Sequence, residues 1–393
     1  MPIDFSDKLI DRYVEALKKE IDHYSETLTD KEITTLYIGG GTPSRIGSGR
    51  IIDIIDYLGT KFNLENLAEF SIELNPSPAQ EVLEFVKTLN KRYAKFPRLR
   101  YSFGIQSFDD EVLQTTGRAY NFSQIADFLR ELVKHKEDNV VFNFDFIAFG
   151  KFQVSKNGNK QLRHEFKRDF FQKFLESGLA DSISLYTLEG VKDKLSDAGC
   201  MMQDPRHGTD DEIMEEFIIL KDIILNAGFA RYEISNFAKR GKASIHNMVY
   251  RNMENYIGLG LSASSFLMQN VECRMQKIFP NSKFGTLNSK FGTRRTNTGD
   301  IKQYLEGHRV DEQQVQTLNE SDLLIEEFFL RLRTNIGIGD ISKFESVLVP
   351  NYEGLITNYK GAGLIVSDGT RLQLTDSGMN VYNTIIIDLL QQL

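Results

Sequence analysis

Between residues 35 and 234 the chain alternates short apolar runs with helix-patterned stretches, and this alternation restricts its fold more than any other feature. The strand-like runs fall at 35–38, 69–74, 99–105, 140–146, 182–186 and 230–234. Helical stretches lie near 50–58, 79–89, 109–116, 123–134, 164–177 and 210–227. Strand, helix, strand in repeated succession is the pattern of a parallel sheet or barrel, so the expected class is α/β. Five or six such units are fewer than the eight that close a barrel.

The flanks read differently. A helix at 6–24 precedes the alternation, with Leu9, Tyr13, Ala16, Leu17 and Glu20 at helical spacing. From about residue 319 a helix at 323–333 leads to a hairpin pattern, 364–367 and 371–374 around Asp368-Gly369. Thr375 or Asp376 can cap a last helix running to Leu390. Helices followed by a hairpin resemble a winged-helix module, but no basic recognition face accompanies them, so a packing or lid role is expected. Two segments read as surface insertions. Residues 151–160 are rich in Lys, Asn and Gly, and residues 281–287 are copied almost unchanged in 288–294, a duplicated exposed loop.

Composition narrows the function classes. A chain of 393 residues accommodates one domain of about 250 residues plus a smaller one. The formal charge of -8 disfavours non-specific binding to nucleic acid or an anionic membrane. No apolar run approaches the roughly 18 residues of a membrane span, and residues 1–5 carry no signal pattern. Two cysteines, Cys200 and Cys273, make no disulfide framework, and a cytoplasmic setting is expected.

Polar residues suited to one bound ligand stand where successive strands end. The glycines of Gly39-Gly40-Gly41-Thr42-Pro43 remove every Cβ at a turn, so a ligand can approach the backbone of Gly40, Gly41 and Thr42. Glu73 closes the second run, Gln106 the third, with Arg118 soon after, and Asp145 the fourth. Each alone reads as a helix cap. Five in succession at strand ends read as a binding mouth.

These motifs carry a family resemblance. Gly39-Gly40-Gly41-Thr42-Pro43, Ile72-Glu73-Leu74-Asn75-Pro76, Gly104-Ile105-Gln106-Ser107-Phe108 with Gly117-Arg118, and Phe144-Asp145 resemble the S-adenosylmethionine-binding motifs of radical SAM proteins. The subgroup is that of oxygen-independent coproporphyrinogen oxidase and the heme chaperones. The stretch 231–239, His246-Asn247, 256–260 and Arg295-Thr296-Asn297 are similar to its HemW-like branch. The resemblance implies a partial (β/α)6 TIM-like barrel over 1–240, a connecting segment over 241–318 and a winged-helix-like domain over 319–393. It further implies that Gly40, Gly41 and Thr42 hold the methionyl part of S-adenosylmethionine and that Arg118 pairs with its carboxylate. Glu73, Gln106 and Asp145 are implied to bond its amino group and ribose hydroxyls, with Ala263 near the adenine.

The same resemblance implies a [4Fe–4S] cluster held by three thiolates of a C-x3-C-x2-C loop after the first barrel strand. Where that loop would end the sequence reads Ile3-Asp4-Phe5, with Ile3 in the place of the last cysteine. The expectation is a chain that seats S-adenosylmethionine without holding the cluster, and whose barrel lacks its first strand. The run at 35–38 is then an edge open to self-association. The expected function is that of a heme chaperone that binds S-adenosylmethionine and heme and delivers heme to acceptor proteins, membrane-associated respiratory components among them. Two alternatives stay open: coproporphyrinogen III oxidation in porphyrin biosynthesis, and a cluster-free S-adenosylmethionine-binding module. His246 reads first as a hydrogen-bonded structural histidine and second as a heme-side ligand.

Overall fold

The structure is a computed structural model that describes residues 6–150, 152–154, 160–162, 165–188, 209–269, 291–309 and 314–390. It divides into two compact units, one of residues 35–48 and 68–244, the other of residues 1–34, 49–67 and 245–393.

The first unit is a partial α/β barrel built on a seven-stranded sheet. Its strands are β1 (Thr35–Ile38), β2 (Glu69–Leu74), β3 (Leu99–Gln106), β4 (Val140–Ala148), β7 (Ser182–Thr187), β8 (Ala230–Glu233) and β9 (Asn236–Ala238). A separate antiparallel pair, β5 (Phe152–Val154) and β6 (Lys160–Leu162), lies where the composition suggests a loop. The sheet order is β1-β2-β3-β4-β7-β9-β8. The first five strands run parallel, as the strand–helix alternation predicts. The run at 230–234 keeps the direction of those five strands but joins them through the three-residue β9 that comes after it, which runs antiparallel to both β7 and β8. Among the described residues β1 is one end of the sheet.

Period-two alternation gives the central strands two unlike faces. On one, Tyr101 and Phe103 of β3 and Phe142, Phe144 and Phe146 of β4 are buried. Phe103 meets Phe128 edge-on at 5.4 Å, and Phe144 meets Phe174 at 5.0 Å, so the helices Phe122–Leu132 and Glu165–Glu176 pack on this face. The other face is polar. Ser71 pairs in register with Arg100, Glu73 with Ser102, Ser102 with Asn143, Asn143 with Ser182, and Asp145 with Ser184. Polar side chains thus line up across four strands on the side away from the aromatic core.

In the second unit the helix Asp7–Thr27 is longer than its sequence pattern suggests and buries Glu20, which is 1% exposed. Glu20 accepts from the Gly260 N–H at 2.9 Å, the Asn297 amide at 2.7 Å and the Tyr304 hydroxyl at 2.6 Å. A three-stranded sheet, β10 (Ser264–Gln269), β11 (Phe291–Thr296) and β12 (Gln316–Leu318), lies further along the chain. The end of the second copied heptapeptide, from Phe291, is strand; the first copy lies outside the described residues. The C-terminal part has the expected hairpin, β13 (Ile365–Ser367) with β14 (Leu372–Leu374). Thr375 caps the helix after the hairpin, but the expected single helix breaks at Val381 into Asp376–Asn380 and Tyr382–Leu389. No helix among the described residues is long and apolar enough to cross a membrane.

Candidate functional site

The polar face of the first unit is hydrogen-bonded in layers. Toward the amino ends of the strands, the fully buried Glu69 accepts from the Ser71 and Ser244 hydroxyls, each at 3.0 Å, and pairs with Arg98 at 3.4 Å. Arg100 donates to the Asn143 side-chain oxygen at 3.0 Å and to the Lys242 carbonyl at 3.1 Å. One layer on, the Asn143 amide nitrogen donates to Asp145 at 2.8 Å and to the hydroxyls of Ser102 and Ser184 at 2.8 and 2.9 Å. Buried charges and amides persist only when partnered in this way. The result is a hydrogen-bonded floor spanning β2, β3, β4 and β7.

The glycine turn sits at the end of β1. Gly40 and Gly41 adopt φ of 83° and 99°, a left-handed backbone that disfavours side chains. Gly39 is needed for a different reason. A Cβ there would lie 2.6 Å from the Tyr37 ring and 2.8 Å from the Glu73 carboxyl carbon. Glu73 holds the turn: it accepts the Tyr37 hydroxyl on Oε1 and the Gly40 N–H at 3.0 Å on Oε2. Burial and the Glu73 carboxylate together push the Tyr37 phenol far above its ordinary value. Thr42 opens the short 3-10 turn Pro43–Ile46, its carbonyl accepting from Arg45 at 3.0 Å.

At the end of β3 the register with β4 shifts between Gly104 and Gln106, and Gln106 has φ of 69°. That left-handed conformation in a non-glycine residue is uncommon and concentrates at functional sites. Arg118 comes after the helix Asp110–Thr115. Its Nε is buried with no hydrogen-bond partner. The neighbouring Tyr120 hydroxyl donates to the Gly104 carbonyl at 2.7 Å and is pushed up to about 12 by burial, against the Arg118 charge. Asp145 accepts from Ser102 at 3.0 Å as well as from Asn143. Burial raises the Asp145 carboxyl above its ordinary value, the Ser184 and Ser102 hydroxyls oppose that shift, and Glu73 adds to it.

Gly40, Gly41, Thr42, Glu73, Gln106, Arg118 and Asp145 therefore all stand at or just beyond the carboxyl ends of β1 to β4 within one unit. Ala263 belongs to the other unit, where its N–H donates to the Gly260 carbonyl at 3.3 Å just before β10. His246 is buried and bonded to the Tyr250 hydroxyl at 2.7 Å. Ile3, Cys200 and Cys273 lie outside the described residues. Among the described residues no group of three or more His, Cys, Asp or Glu side chains is placed to hold a metal ion.

Reading from the sequence did not single out Asn75. Its side-chain oxygen is buried without a partner immediately beyond β2. The signal was present: Asn75 comes two residues after Glu73, the period of a strand face.

No family model matches the chain. It is 28% identical over 389 residues to the heme chaperone HemW of Lactococcus lactis, covering 96% of this chain and 88% of that protein. It is 24% identical over 387 residues to HemW of Bacillus subtilis, covering 96% and 90%. The structure aligns with that of coproporphyrinogen III oxidase (HemN) from Escherichia coli, a radical SAM enzyme, at a TM-score of 0.70 and 18% identity. That alignment covers 99% of this chain and 85% of the other. The oxidase thus shares the fold, and the chaperones share the sequence along nearly its whole length. By sequence the chain is similar to the HemW heme chaperones along nearly its whole length, and by fold it is similar to a radical SAM enzyme.

Proposed function

We propose that the carboxyl ends of β1 to β4 bind S-adenosylmethionine and that the chain acts as a heme chaperone, binding heme and passing it to acceptor proteins. The observation that carries the binding reading is the buried, unpartnered Nε of Arg118, whose charge acts on the Tyr120 hydroxyl bonded to Gly104 near the end of β3. A guanidinium in that state suits a carboxylate, which it engages with paired N–H groups. The Gly40 N–H is committed to Glu73, which leaves the backbone of Gly41 and Thr42 to the methionyl part. Gln106 and Asp145 supply acceptors for ribose hydroxyls. Bound there, S-adenosylmethionine would bring a sulfonium and an amino-acid head into the mouth of the barrel.

A [4Fe–4S] cluster of the family's kind takes three thiolates. This sequence has two cysteines, Cys200 and Cys273, seventy-three positions apart, and that donor set does not fit the cluster. The proposed role is accordingly binding and delivery, with no cluster-borne step assigned to these residues. Sequence similarity to HemW over nearly the full chain supports the chaperone reading over coproporphyrinogen oxidation, for which the support is fold alone.

Anaerobic titration with heme tests the chaperone reading. A saturable Soret change at micromolar heme is expected. Linear, non-saturating absorbance would overturn it.

A further inference from the structure

We infer that Asn75 is a further ligand-contacting residue, its side-chain oxygen accepting from the α-ammonium group of the bound ligand. The inference rests on the S-adenosylmethionine reading of the same site.

Asn75 lies one residue beyond β2 and two beyond Glu73, and Pro76 after it has no N–H to donate. Its Oδ1 is buried and meets no donor. Buried side-chain acceptors nearly always have a partner, and one left without is costly unless something arrives to fill it. The two carboxylates at these strand ends are already engaged. Glu73 accepts the Tyr37 hydroxyl on one oxygen and the Gly40 N–H on the other. Asp145 accepts from Ser102 on both oxygens and from Asn143 on Oδ1. Among the described residues Asn75 Oδ1 is thus the buried side-chain acceptor that meets no donor.

The complementary group is Arg118, whose Nε is a buried donor without an acceptor and which comes after β3, the next strand of the sheet. One open acceptor and one open donor at adjacent strand ends match a zwitterion. An ammonium only donates, and a carboxylate only accepts. A lone cation or a lone anion would satisfy one of the two groups and leave the other buried and unmet. The pair therefore selects for an intact amino-acid head, and Asn75 reads its nitrogen.

The test compares S-adenosylmethionine with its analogue in which hydrogen replaces the α-amino group, by calorimetry, on the full chain and on Asn75→Ala and Asn75→Asp. On the unmodified chain the analogue should bind roughly tenfold more weakly, the loss of one charge-assisted hydrogen bond. Asn75→Ala should weaken S-adenosylmethionine by about the same factor and leave the analogue within about twofold. Asn75→Asp keeps an oxygen and should retain S-adenosylmethionine binding. Equal affinity of the unmodified chain for both ligands overturns the inference, and that arm needs no variant to fold. Equal losses of both ligands in Asn75→Ala also overturn it, since Asn75 would then merely support the turn. An Asn75→Ala that binds S-adenosylmethionine undiminished shows that water fills the open acceptor, and overturns the inference alone. Binding of neither ligand by the unmodified chain overturns the underlying site reading as well.

Discussion

The backbone N–H of Gly40 donates to Oε2 of Glu73 at 3.0 Å, tying the turn after β1 to the end of β2 across thirty-three residues of sequence. With the Tyr37 hydroxyl on its other oxygen, Glu73 is a clamp on the glycine turn as well as a member of the mouth. Removing the clamp leaves a buried phenol unmet. Glu73→Ala should destabilise the chain by about 1–3 kcal/mol in urea unfolding and weaken S-adenosylmethionine binding at least about tenfold. Glu73→Gln, which keeps one acceptor, should lose less on both counts.

Gly39 and Gly41 of the turn should fail for different reasons. Gly39→Ala drives a Cβ into the Tyr37 ring and the Glu73 carboxyl, and should cost about 1–3 kcal/mol. Gly41→Ala meets no atom within 4 Å but must hold φ of 99°, and should cost about 1–2 kcal/mol. The two are separable by a double-mutant cycle read by urea unfolding. In a Glu73→Ala background the cost of Gly39→Ala should shrink, while that of Gly41→Ala should stay the same.

Asp145 gives the site a pH signature. Burial raises its folded-state value above the ordinary 3.8, so the unfolded chain ionises first as pH rises. The contribution of this group to stability is complete below pH 3.8 and is lost as pH climbs through the raised folded value. Asp145→Asn should therefore be more stable than the parent at neutral pH, and the difference should vanish toward pH 3.8. Thermal melting across that range checks it. The same variant should bind S-adenosylmethionine more weakly, the exchange of stability for function common at binding sites.

In the second unit the buried carboxylate of Glu20 gathers donors from Gly260, Asn297 and Tyr304. Glu20→Ala leaves three donors without their acceptor and should cost about 3 kcal/mol or more in thermal or urea unfolding. Glu20→Gln should cost less. Heptad-like spacing alone presents Glu20 as one more position on the buried side of an amphipathic helix. Its charge becomes intelligible only when residues 240 to 284 positions away supply the donors.

The legible part of the fold was the part with local punctuation. The strands Thr35–Ile38 and Glu69–Leu74 have the bounds expected from sequence, because glycine and proline stop each of them within a few residues. Strand β9 was not foreseen: Asn236–Ala238 is three residues long and exists through pairing with β7 and β8. The break at Val381 interrupts a run whose apolar pattern continues without a gap. At the candidate site, Glu73, Gln106 and Asp145 were visible as polar residues closing apolar runs, and Arg118 as a charge soon after the third. The floor beneath them was not, since Arg100 and Asn143 lie inside strands. Their role depends on a register that brings Asn143 opposite both Ser102 and Ser182. Strand period puts Asn75 on the face of Glu73, but its unmet acceptor is a property of surroundings, not of residue type.

The central claim is that the strand ends of the first unit bind S-adenosylmethionine through its amino-acid head. Calorimetric titration of the chain and of Arg118→Ala with S-adenosylmethionine tests it most directly. The account predicts saturable binding by the parent and loss of at least about two orders of magnitude in affinity for Arg118→Ala, with unfolding temperatures alike. No binding by the parent, or undiminished affinity in Arg118→Ala, would contradict it.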